Sequence, residues 1–214
     1  MPTRPDISKG EGFVRSYELF EELRADVTRA YETLEKQRDS QFLRRPTVRA
    51  IFALIEASVE IIKSEIRSTL RLEGGEDHLS EKELGILGGL SITPGPRGQK
   101  FLPLEDNLKL TFKLAAKTWG LAEFQLDAGG ESYREFLQAK EARNRLTHPR
   151  TYYDIQVTDE DMHCHTVAFQ WSCHEFRRLF RNRFKLLAEQ LPEEDRKAFL
   201  KSSGVPVGII GVRF

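Results

Sequence analysis

The chain has 214 residues, enough for one sizeable core or two small ones, and a single domain over 1–214 is the expectation. Its 33 Lys and Arg balance 33 Asp and Glu, so no molecule-wide field steers a polyanion and such a partner must meet a local basic patch. Two cysteines exclude a disulfide framework. No apolar run reaches the length of a membrane span, so a cytoplasmic protein without a membrane partner is expected.

Helix dominates the chain-order reading. Ser16 can cap a first helix running to about residue 38, with Leu19, Leu23, Val27, Ala30 and Leu34 at helical spacing. Pro46 suits the first turn of a second helix. There Val48, Phe52, Ile55, Val59, Ile62 and Ile66 alternate steps of four and three, and Ile51, Leu54 and Ile61 widen the stripe. Such breadth predicts a central helix packed on two sides or meeting another protomer, with Glu56, Glu60, Lys63 and Arg67 as its polar face. Gly74-Gly75 ends it, and a short helix from Leu79 to Leu87 follows. The breaker-rich stretch 88–103 reads as a long connection or as a flap over a site. It lacks the Gly-Lys-Ser/Thr of a phosphate-cradling loop.

Helix resumes from Glu105 to Trp119, with Leu108, Phe112 and Ala115 apolar and Lys109, Lys113 and Lys117 on another side. The next spans Glu131 to Thr147 and carries Tyr133, Phe136, Leu137 and Leu146. Residues 152–157 read as extended. Thr158 with Asp161 resembles an acidic capping box and starts a last long helix to about Leu191, with Phe176, Phe180, Phe184 and Leu187 apolar. A short helix after Pro192 and an extended tail over 205–210 complete the pattern. The fold class is all-α, an antiparallel helical bundle with core about 40–190, an additional N-terminal helix and peripheral segments 1–15 and 203–214.

The chemistry concentrates at Arg143-Asn144-Arg145-Leu146-Thr147-His148, closed by Pro149. Asn144 and His148, four apart, share a helix face. Arg143 and His148, five apart, diverge by about 140° on a straight helix. Pro149 pushes His148 out of the α region, to a helix end whose partial negative charge favours the protonated ring. Arginine can hold a phosphate bidentately and histidine can move a proton near neutrality. RNA supplies its own 2′-OH nucleophile, so cleavage with these groups needs no metal. Ordinary ion pairs of Arg143 and Arg145 with Glu135, Glu141 or other carboxylates are the plain alternative.

Arg143-Asn144-x-x-x-His148, late in an all-α chain, resembles the signature of the HEPN superfamily: an arginine, usually a polar residue after it, and a histidine four to six residues on. The resemblance implies a bundle of four or five helices, homodimers that pair their motif helices, and frequently metal-independent endoribonuclease activity with no cofactor. Toxins, phage-defence effectors and RNA-processing enzymes belong to this superfamily, as do inactive binding modules, so an antitoxin or regulatory protein joins RNA among the implied partners. Carried over, His148 is the acid/base group, Arg143 binds the scissile phosphate, and Asn144 orients His148 or contacts RNA. In members silenced by tyrosine modification a Tyr stands two residues after the His. Here that position is Arg150, followed at one remove by Tyr152 and Tyr153.

Arg145 and Arg150 adjoin the motif and are RNA-binding candidates, as are Arg177, Arg181 and Lys185 at four-residue steps on the last helix. Lys109, Lys113 and Lys117 form a second basic line. With a neutral total charge, a solvated charged face is the simpler reading of either line taken separately. His163, Cys164, His165, Cys173 and His174 offer soft metal ligands, but on one helix Cys164 and Cys173 are more than two turns apart, which favours ordinary packing over a metal site.

Overall fold

A computed structural model describes residues 9–73, 79–91, 100–193, 195, 196 and 199; among them lie six α-helices, no strand, and one 3-10 turn. In chain order these are α1 (Lys9–Glu35), α2 (Gln41–Glu73), α3 (Glu81–Leu87), α4 (Leu104–Thr118), α5 (Glu131–Thr147), the 3-10 turn Tyr152–Ile155, and α6 (Asp159–Glu189).

The broad apolar stripe of α2 has the consequence expected of it. All nine of its predicted apolar positions are buried, and the helix packs against α1, α4, α5 and α6. One cluster of buried apolar side chains draws on all six helices, from Phe13 on α1 to Leu187 on α6. Aromatic rings dominate where α1 crosses α6: Phe13 lies 4.9 Å from Phe184 and Phe20 lies 5.8 Å from Phe176, centroid to centroid. Such ring pairs add about 0.5–1.5 kcal/mol each beyond burial.

The polar face of α2 departs from expectation. Lys63 is buried, because the turn after α3 folds over it, and its ammonium keeps a 2.8 Å bond to Glu60. Gly89 takes a positive φ of 68° in that turn, where a Cβ would stand 3.4 Å from the Lys63 Nζ. Arg67 bonds the Leu87 carbonyl and completes the attachment. The two ends of the 88–103 connection meet as a bridge between Leu90 and Phe101. Residues 92–99 lie outside the described residues, as do Gly74-Gly75 and the tail over 205–210.

Four other expectations need correction. α1 is already helical at Lys9, and Ser16 caps nothing: its hydroxyl donates to Glu65 at 2.6 Å. The buried line of α1 is Phe13, Phe20, Val27 and Leu34, whereas Leu19 is exposed, since the large rings turn the helix toward α6. Pro46 lies inside α2, which starts at Gln41 because the Ser40 carbonyl accepts from Leu43 and Arg44. Residues 152–155 form a 3-10 turn where an extended segment was expected. Thr151 and Asp154 cap it reciprocally, a bonding pattern that outweighs the β preference of its aromatic residues. The Thr158–Asp161 capping box at the start of α6 is present, and α5 has the boundaries expected from its sequence.

Candidate functional site

α5 buries Tyr133, Phe136, Ala139, Ala142 and Leu146 and packs chiefly on α6, antiparallel to it. This orientation points Arg143 at α2. Its guanidinium pairs with Glu56 and lies over the Phe52 ring, 5.8 Å from the centroid. The other terminal nitrogen donates to the Asn144 side-chain oxygen at 3.3 Å. Arg143 therefore has an ion pair, but its partner is on another helix and is neither Glu135 nor Glu141.

His148 ends α5 with φ −128° and ψ 58°, outside the α region as a residue before proline should be. Its main-chain N–H donates to the Asn144 carbonyl at 3.1 Å. The imidazole is exposed and, among the described residues, makes no hydrogen bond or ion pair. Asn144 thus touches both motif partners, Arg143 through its side chain and His148 through its backbone. No side-chain bond joins Asn144 to His148, and none joins Arg143 to His148. Within one chain the two groups share a helix end without being assembled against each other.

Arg145 pairs with Asp161 at 2.9 Å, which ties the end of α5 to the start of α6. Burial would raise the Asp161 carboxyl, but bonds from the Thr158 amide and from Arg145 outweigh it and hold the group below the usual carboxylate range. Arg150 contributes its main-chain N–H to Asp154 at 2.9 Å, and its guanidinium has no partner among the described residues.

Two residues on α2 that the sequence reading passed over belong to this surface. Arg45 donates to the Ile155 carbonyl at 3.4 Å, and Arg49, exposed and without an ion pair among the described residues, lies one turn further on. Arg45, Arg49 and Glu56 fall within about 40° on the helix, so Arg49 sits between the contact with the 3-10 turn and the contact with Arg143. Their spacings of four and seven are the signal that would have grouped them.

The other basic candidates lie elsewhere. Arg177 makes two 2.7 Å bonds to Glu21, which also holds Arg24. Arg177 is about 24 Å along α6 from Asp161 and about 160° around it, so it does not continue the motif surface. Arg177 and Arg181 border a cavity of about 410 Å³ between α1 and α6, and Lys185 is exposed one turn beyond. Lys109, Lys113 and Lys117 rim a cavity of about 530 Å³ floored by Phe112, Leu121 and Phe124. Lys109 lies over Tyr133 and Lys117 pairs with Glu83.

The Cys and His residues of α6 are spread around the helix. Cys164, Cys173 and His165 are buried, His163 and His174 exposed, and among the described residues no three His, Cys, Asp or Glu side chains cluster as metal ligands. His165 fills a core position edge-on to Phe52, 5.7 Å away, and burial lowers its proton affinity. No described helix is long and apolar enough to cross a membrane. Comparison with protein-family profiles, curated proteins and solved structures yields no match to this chain.

Proposed function

We propose that this protein is a metal-independent endoribonuclease of the HEPN type, acting as a homodimer whose two motif helices share one cleft, in the manner of a toxin or phage-defence effector. The observation that carries the reading is the end of α5: a cation anchored by Glu56 and Phe52, and an exposed imidazole free of partners among the described residues five positions on. Arg143 and His148 do not meet within one chain, so a second copy is part of the proposal.

In this reading His148 accepts the proton of the 2′-OH as that oxygen attacks the adjacent phosphorus. The bond from phosphorus to the 5′-oxygen breaks, that oxygen takes up a proton, and a 2′,3′-cyclic phosphate and a 5′-OH remain. Arg143 and Asn144 hold the phosphate whose charge grows in the transition state. Arg145 and Arg150 steer the strand toward the helix end. An antitoxin or regulatory protein is the further expected partner.

One observation favours a different reading. The Arg143 guanidinium already has a carboxylate partner, which fits a module that binds RNA, nucleotide or protein without turning RNA over. Incubating metal-free protein with tRNA and mRNA, beside Arg143→Ala and His148→Ala, decides between the two. Cleavage by the parent and its loss in both variants is expected. Cleavage by all three alike, or by none, would sink the ribonuclease reading. In the dimer, both copies of His148 should face one cleft.

A further inference from the structure

The segment from Arg150 to Thr158 combines a tightly held backbone with two side chains that are hardly held at all. Asp154 Oδ2 accepts from the Arg150 N–H (2.9 Å), the Thr151 N–H (2.7 Å) and the Thr151 hydroxyl (3.0 Å). The Gln41 amide bonds both the N–H and the carbonyl of Val157 at 2.9 Å, and Arg44 donates to that carbonyl at 2.8 Å. Arg45 adds the contact to Ile155. Yet Tyr152 and Tyr153, at the centre of this scaffold, are 72% and 81% exposed. Among the described residues the only ring paired with either is the other, 6.2 Å away centroid to centroid and inclined at 74°, and neither hydroxyl is bonded.

Two bare aromatic faces on an immobilised turn are poor packing but good preparation for a flat ligand. Little chain order remains to be lost on binding, since each ring has only two torsions to fix. Basic side chains free of carboxylate partners stand on the same surface. Asp39, Asp154, Asp159 and Asp161 are each engaged by an arginine or by main-chain N–H groups, leaving Arg49, Arg150 and His148 without a carboxylate partner among the described residues. The rings are also close to the motif. Tyr152 is four positions after His148, so their Cα atoms are at most about 14 Å apart.

We propose that Tyr152 and Tyr153 form a stacking platform for unpaired nucleobases, with Arg49 and Arg150 holding the intervening phosphates. The choice of RNA as ligand rests on the ribonuclease reading, but the platform itself does not require cleavage. A base inside a duplex presents no free face, so the substrate class is single-stranded or looped RNA.

The test measures binding in the His148→Ala protein, which removes turnover. A short oligouridylate carrying one 2-aminopurine reports affinity by anisotropy and stacking by fluorescence quenching. Tyr152→Ala or Tyr153→Ala should each weaken binding about fivefold or more and relieve the quenching, while Tyr→Phe at either position retains both. A fully paired duplex should be indifferent to these substitutions. Affinity within twofold of the parent for the double alanine variant, or no single-strand binding by the parent, overturns the platform. So does a change of oligomeric state in light scattering, which would make the rings a protein contact. Cleavage by the native protein with tyrosine-independent binding sinks the platform alone. Tyrosine-dependent binding without cleavage sinks the ribonuclease reading alone.

Discussion

Arg44 clamps the chain between the 3-10 turn and α6 to the start of α2, and its replacement by Met tests how much that clamp contributes. Its side chain is 9% exposed and its guanidinium serves four acceptors: the Arg38 carbonyl at 2.7 Å, the Val157 carbonyl at 2.8 Å, Asp159 at 2.5 Å and Asp39 at 3.4 Å. Methionine keeps much of the aliphatic stem and removes the charge. The two carboxylates are exposed and rehydrate, so each pair contributes only a few tenths of a kcal/mol. The two carbonyl bonds are charge-assisted and contribute about 1.5 kcal/mol each. The Val157 carbonyl keeps its bond from Gln41, which trims the loss. The net destabilisation is about 2–3 kcal/mol, or about 5–10 °C in Tm for a chain of this size. Thermal unfolding followed by circular dichroism at 222 nm measures it, with exposed Arg49→Met as a control expected within about 0.5 kcal/mol. Combining Arg44→Met with Gln41→Leu should cost more than the sum of the two, because together they orphan the Val157 carbonyl. A melting point within 1 °C of the parent for Arg44→Met would refute the clamp.

Other expectations concern charge and reactivity. Glu56→Gln removes a carboxylate about 5 Å from a phosphate held on Arg143; screened repulsion of about 1–3 kcal/mol disappears, and single-strand affinity should rise fivefold or more. Unchanged or weaker binding would mean that Glu56 instead orients Arg143. Glu83 is held down to about 2 by Lys117 first, then by the Ser80 amide and hydroxyl. Its depressed value stabilises the fold above the ordinary carboxylate range, so Glu83→Gln should lower the urea midpoint at pH 7. The difference should shrink as pH falls through 4 toward 2, and a gap independent of pH would contradict the charge-based account. Burial pushes the thiols of Cys164 and Cys173 up to about 12, so iodoacetamide at neutral pH should label them only after unfolding. Rapid labelling of the folded protein would count against their burial.

Helix existence and most of the core were legible because the signals are local. The four–three alternation along α2, the capping box before α6 and the glycines before α5 each act within a turn or two. The misreadings share a different cause. Lys63 looked like a surface lysine because nothing nearby reveals that the turn after α3 covers it. Leu19 looked like core because α1 offers two plausible stripes, and only the rings of α6 select the one through Phe13 and Phe20. At the candidate site, Arg143, Asn144 and His148 were found as a motif, but Glu56 and Arg49 come from a helix some ninety residues earlier. Such partners are set by how α2 meets α5, which periodicity within either helix does not encode.

Val48, Leu146 and Val157 form a buried group separate from the main core, with Met162 the one partly buried apolar side chain packed against it among the described residues. This small group underlies the end of α5 that carries His148. Three such side chains contribute about 5–9 kcal/mol of burial before the entropy of ordering is subtracted, a small share beside the main cluster. With so little apolar burial of its own, the His148 end should owe much of its order to the bonds that Gln41, Arg44 and Asp154 make beside it. Protection from hydrogen exchange should fall off there first, well below the global unfolding free energy. Replacing Arg44 or Gln41 should lower that protection further and leave the aromatic core between α1 and α6 untouched.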